Sequence, residues 1–141
     1  MNGPVQFNLG DLFRADFRTS QLADATNTAL QKDLRFDYRY QPARVAIGLS
    51  LSLSASPSLP SDVLGKPIRG ETLFGQEEGE MALWVSLICS HAGLQVPTKK
   101  QLFDLVAGHW ARGLQLLVKR LDLYEGEPHE FLLSIQPNQK N

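Results

Sequence analysis

The sequence predicts a mainly α-helical domain, a compact bundle of about four helices with a short extended or hairpin segment. Three observations carry that reading. Apolar residues recur at three- and four-residue spacing in separate stretches. Those stretches open on residues suited to helix starts, and Gly or Pro punctuates the intervals between them. The chain has 141 residues, 43% of them hydrophobic and 21% charged, which supplies one core and leaves little length for a second.

Residues 1–13 carry Gly3, Pro4 and Gly10 among scattered apolar residues and read as a flexible N-terminal arm. The domain proper is expected over 14–123, with 124–141 as a C-terminal tail. Residues 14–18 alternate weakly and suit an extended stretch. Thr19 and Ser20 are good N-caps for a first helix at about 20–34, with Leu22, Ala25, Thr26, Ala29 and Leu30 at helical spacing. Pro42 suits the first turn of a second helix, where its missing N–H costs nothing. The continuation carries two signals. Ile47, Leu49, Leu51 and Leu53 alternate with Gly48, Ser50, Ser52 and Ser54 as in a strand, whereas the run from Pro42 to Ala46 favours a helix. Helix is the expectation, partly on the resemblance described below.

Pro57, Pro60 and the serines around them mark a loop. Residues 66–75 place glycines at turns and suit a short hairpin or an ordered loop. Glu77, Glu78 and Glu80 occupy the first turn of a third helix, opposing the positive end of its dipole. Met81, Trp84, Val85, Ile88 and Ala92 form its apolar stripe and Gly93 ends it. Thr98-Lys99-Lys100-Gln101 is a capping box opening the fourth and longest helix. Leu102, Leu105, Val106, His109, Gly113, Leu116, Leu117 and Arg120 trace its inner side. Residues 131–135 suit a short strand or docking segment.

The residue types that would carry chemistry are sparse. Cys89 has no intrachain partner, and with His91 it falls short of the paired ligands that a structural zinc site uses, so no metal is expected. No nucleophile elbow or phosphate-binding loop is present, and no catalytic residue is assigned. The acidic triplet at 77–80 reads as a solvated helix start. The longest mainly apolar stretch, 45–53, is too short to cross a bilayer, and the N-terminus has no cationic start followed by an apolar run. With a single thiol, these features point to a cytoplasmic protein.

Charge is more informative in its distribution than in its sum. The net charge is -1, yet residues 1–69 hold eight basic against six acidic side chains, and residues 70–141 hold six against nine. Arg35, Arg39 and Arg44 interleave with Phe36, Tyr38 and Tyr40, a pattern in which arginines grip phosphates while rings support or stack. A solvated loop whose arginines pair with Asp33 and Asp37 accounts for the same residues. Arg112-Gly113 is a second oddity, because glycine within a helix costs up to about 1 kcal/mol against alanine. Close approach of another helix, in this chain or another, would rationalise it, as would a local bend. Trp84, Trp110, Leu116 and Leu117 are large apolar groups that suit self-association through an exposed patch.

Four fragments resemble one family, in one order, over about 14–118. They are Arg18-Thr19-Ser20, the element from Pro42 through Arg44 into the Leu/Ser run, the segment ending in Thr72-Leu73-Phe74-Gly75, and His109-Trp110-Ala111-Arg112-Gly113-Leu114. Together they resemble the DndE family of the bacterial DNA phosphorothioation system. The resemblance implies a small helical protein that assembles as a homotetramer and binds double-stranded DNA with a preference for nicked duplex. It also implies action with the DndC and DndD components, which carry the chemistry that replaces a non-bridging phosphate oxygen with sulfur. On that view the chain is not an enzyme, needs no cofactor and meets no membrane. The DNA-contacting residues are then expected among Arg14, Arg18, Lys32, Arg35, Arg39, Arg44, Lys66 and Arg69. His109, Arg112 and Gly113 are expected to serve helix packing or an oligomer contact. The chain departs from the family in its terminal extensions and slight negative charge, although copies in a tetramer would pool their basic patches in one field. Two alternatives remain at this level: an adaptor that regulates the DndC/DndD complex without binding DNA, and a ribbon-helix-helix regulator.

Overall fold

The computed structural model describes residues 8–124. Its elements run α1 (Leu9–Phe13), β1 (Asp16–Phe17), α2 (Gln21–Asp33), α3 (Tyr40–Leu51), β2 (Ile68–Arg69), α4 (Gly70–Leu73), α5 (Glu78–Ala92) and α6 (Lys99–Leu123). The fold class is as the sequence predicts, mainly helical with a small antiparallel ribbon. The segment 131–135 lies outside the described residues.

Local chemistry accounts for the helix boundaries. Asn8 and Asp11 close a capping box on α1, and Ser20 Oγ accepts from the Ala23 N–H at 3.0 Å to start α2. Glu77 and Glu80 do the same for α5, which Gly93 ends in the left-handed region at φ 73°. Thr98 and Gln101 cap α6, whose 25 residues make a rod about 37 Å long. Residues 9–13, read from sequence as part of an arm, form α1, with Leu12 fully buried.

The run with two signals resolves as helix. Burial along α3 falls on Ala43, Ala46, Ile47 and Ser50, a helical stripe rather than every second residue. This stripe lies against α6 at the centre of the molecule. Gly113 is the contact point: a Cβ there would run into the carbonyl of Ala46. The close helix approach anticipated for Gly113 is therefore made within this chain, by α3.

Three details of packing correct the sequence reading. On α2 the buried face is Ala23, Asn27 and Leu30, and Leu22 is 75% exposed. The stripe is rotated because buried Asn27 is matched with polar partners: its Nδ2 donates to the Arg39 carbonyl at 3.0 Å and its Oδ1 accepts from Trp110 Nε1 at 3.1 Å. On α6 Trp110 and Leu117 are fully buried, so they belong to the core rather than to an exposed patch. Arg120 is exposed, one turn beyond Leu117, the last buried residue of that helix. Residues 66–75 do not fold back on themselves as a hairpin. Instead β2 pairs with β1, Asp16 opposite Arg69 and Phe17 opposite Ile68, and the chain turns at once into α4. Side chains explain the choice: Phe17 packs edge-on against both Phe74 and Phe103, at 5.4 and 4.8 Å between ring centres. Gly70 permits it, since a Cβ there would strike the Leu12 carbonyl.

Candidate nucleic-acid interface

Of the eight basic residues singled out in the sequence, three reach inward to the backbone of the segment that follows the long loop. Arg39 Nη2 pairs with Asp24 Oδ1 at 2.6 Å and also donates to the Lys66 carbonyl at 3.0 Å, while its Nη1 donates to the Pro67 carbonyl at 3.4 Å. Asp24 completes the clasp, its second carboxylate oxygen accepting from the Lys66 N–H at 3.1 Å. Arg18 Nη1 donates to the Gly65 carbonyl at 3.0 Å. Arg44 donates from Nε to the Leu73 carbonyl at 2.6 Å and from Nη2 to the Thr72 carbonyl at 3.1 Å. A planar guanidinium with several fixed donors suits this bracing better than a lysine would.

The other five lie on the surface. Arg14, Lys32, Arg35 and Lys66 are exposed, and none has an ion pair among the described residues. Arg69 meets Glu71 at 3.5 Å, with the arginine side chain exposed and the glutamate partly so, a contact that costs little to exchange. The alternative of arginines paired with Asp33 and Asp37 is not what the chain adopts: Arg39 turns to Asp24. Arg35 holds the left-handed conformation at φ 60°, which swings the chain from the end of α2 toward α3.

Aromatic rings lie beside Arg39, Arg44 and Arg69. Tyr38 and Tyr40 stack with their centres 5.8 Å apart and their planes 14° from parallel. The Arg44 guanidinium lies 4.5 Å from the centre of the Tyr40 ring. Tyr38, Arg39, Tyr40, Pro67, Arg69 and Thr72 line a shallow cleft of about 600 Å³, together with Gln31, Asp37 and Ile68. Sequence reasoning found the cations and rings of this face but missed Asp24, whose role depends on a segment more than forty residues away in the chain.

A second polar cluster lies at the other end of α3. Arg112 Nε donates to Ser50 Oγ and its Nη2 to the Ser50 carbonyl, both at 2.8 Å, and its Nη1 reaches the Ala55 carbonyl at 2.8 Å. Ser50 Oγ lies 2.8 Å from His109 Nδ1, and His91 Nε2 bonds the Leu53 carbonyl. Side chains of α5 and α6 thus reach the Ser50 carbonyl in the last turn of α3 and the Leu53 and Ala55 carbonyls just beyond it. Ser50 and His109 are both fully buried, and their contact joins α3 to α6. Burial above all, with His91 and Arg112 nearby, lowers the His109 pKa to about 4. Burial likewise raises the Cys89 thiol. Among the described residues no group of three or more His, Cys, Asp or Glu side chains is placed to hold a metal ion, and no helix is long and apolar enough to cross a membrane.

A family model described as DNA sulphur modification protein DndE matches residues 16–125 of the 141. No curated protein matches the chain. The matched stretch runs from β1 through α6 and so takes in the arginine clasp, the tyrosine stack and the Ser50–His109–Arg112 cluster. The chain therefore belongs to the DndE family of DNA sulphur modification proteins.

Proposed function

We propose that this protein is a non-catalytic, DNA-binding accessory subunit of the DNA phosphorothioation system, gripping the backbone of duplex DNA and preferring nicked DNA. The observation that carries the reading is the face built by residues 35–44 and 66–72. There, arginines braced on backbone carbonyls support exposed Lys66 and Arg69 and a tyrosine stack whose outer ring, Tyr38, is open to solvent. The eight basic residues divide their work: Arg14, Lys32, Arg35, Lys66 and Arg69 contact phosphates, and Arg18, Arg39 and Arg44 keep the surface in shape. Assembly as a homotetramer gathers these patches into one field, which offsets the net charge of -1. DndC and DndD supply the sulfur chemistry, and the complex works in the cytoplasm.

The test is the affinity of the purified protein for nicked and intact duplexes of one sequence across a salt series. Salt-sensitive binding that favours the nick is the expected result. Replacing Lys66 and Arg69 with Glu should weaken binding and flatten the salt dependence by about one unit of slope per lost phosphate contact. Light scattering reports the tetramer. An adaptor that binds DndC and DndD without touching DNA is the second reading, favoured by the inward commitment of Arg18, Arg39 and Arg44. It is what an absence of binding at moderate salt would select. A ribbon-helix-helix regulator has less support, because β1, the strand it would use for base readout, is paired with β2.

A further inference from the structure

We infer that Tyr38 is a stacking platform for an unpaired base of the DNA, at the edge of the cleft it shares with Arg69; this rests on the DNA-binding reading above. The fold has little use for this ring. Tyr38 is 61% exposed, and its ring contact is with Tyr40. Its position is nevertheless held. The Tyr38 N–H donates to Gln41 Oε1 at 2.9 Å, and Gln31 Nε2 donates to the neighbouring Asp37 carbonyl at 3.2 Å. Behind it, Tyr40 stacks on Tyr38 and is itself in contact with Arg44, whose guanidinium is anchored on the Leu73 and Thr72 carbonyls. The result is a chain of three planar groups, fixed at its inner end and open to water at its outer one.

A pre-ordered aromatic surface of this kind takes a flat π-system with little further loss of freedom, and every base presents one. Charge divides the cleft. Asp37 lies beside Tyr38 in the chain and lines the same cleft, so it opposes a phosphate there, whereas Arg69, whose loose contact with Glu71 a phosphate can replace, attracts one. The base therefore belongs on Tyr38 and the sugar-phosphate on the Arg69 side. A fully paired duplex keeps its bases stacked on each other, so the platform acts only where a base is free, as at a gap or where the end pair at a nick has opened.

The experiment uses the full chain and two duplexes of one sequence. One is intact; the other has a one-nucleotide gap whose unpaired template position carries 2-aminopurine. Wild type should bind the gapped duplex more tightly and quench the 2-aminopurine fluorescence. Tyr38→Ala should lose about tenfold on the gapped duplex, the scale of one base–aromatic stack, with the intact duplex little changed. Tyr38→Phe should retain both binding and quenching, and an unchanged melting temperature in each variant confirms the fold. Equal affinity of wild type for both duplexes, an undiminished gap preference in Tyr38→Ala, or a loss shared equally by both duplexes overturns the platform and leaves DNA binding standing. Failure of wild type to bind either duplex overturns the DNA-binding reading itself, and the platform with it.

Discussion

The two ends of α3 use the same chemistry to opposite effect. At both, arginines donate to backbone carbonyls of loops and helix ends: Arg39 and Arg44 near the first turn, Arg112 reaching across from α6 at the last. At the first end the donors brace a surface on which Tyr38, Lys66 and Arg69 are exposed to water. At the last end they enclose a histidine so completely that its charged form is suppressed. The difference shows that an arginine brace does not by itself mark a core or a binding face. What differs is what lies beside each brace: fully buried Ser50 and His109 at the last end, exposed Tyr38, Lys66 and Arg69 at the first.

The largest effect should come from the junction of α3 with α6. Gly113→Leu must displace the Ala46 backbone or separate α3 from α6, and a loss of several kcal/mol in urea unfolding is expected, enough to leave a marginal domain unfolded. A variant as stable as wild type would show that the two helices do not cross there.

Next is the pH dependence of the enclosed end. The folded-state pKa of His109 is about 4 against 6.5 for a free histidine, so the unfolded chain takes up this proton first as pH falls. Stability is therefore full above pH 6.5, declines as pH falls toward 4, and changes no further on this account below that. The total is about 3 kcal/mol, from 1.36 kcal/mol per pKa unit. Urea melts at intervals from pH 7 to 4 should show this slope, and His109→Gln should remove about one proton from it. An identical slope in the two proteins would mean that His109 titrates normally in the folded state.

The smallest effect belongs to the open end. Arg39→Ala breaks a half-buried ion pair and two backbone contacts, and should cost about 1–2 kcal/mol. Amide exchange should accelerate at Lys66, whose N–H is held by Asp24, while the interior of α6 stays protected. Exchange that rises equally in α6 would join the two ends into one cooperative unit and erase the contrast between them.

The reasons why some features were legible and others were not lie in the range of the interactions. Caps act within four residues, so Ser20, Gly93 and the Thr98–Gln101 box mark their helices in the sequence. The basic and aromatic residues of 35–44 were visible as a local cluster. The buried face of α2 was hidden because Asn27, a polar residue, occupies its centre, and only Trp110 and the Arg39 carbonyl make that position suitable. Leu22 was read as core for the converse reason: nothing in its own segment reveals that the neighbouring helices pack elsewhere. Ser50 went unnoticed because it looked like one of several alternating serines, and the His109 and Arg112 that give it a role lie about sixty residues on.

By itself, the sequence determined the helical class, most helix boundaries and the family, since these follow from spacing, caps and short ordered motifs. Only the tertiary structure decided which arginines are braces and which are free, which end of α3 is sealed, and that β1 joins β2. Those outcomes depend on partners far apart in the chain. A buried donor or acceptor without a partner costs more than a solvated one, so the final packing selects among side chains that look equivalent in sequence.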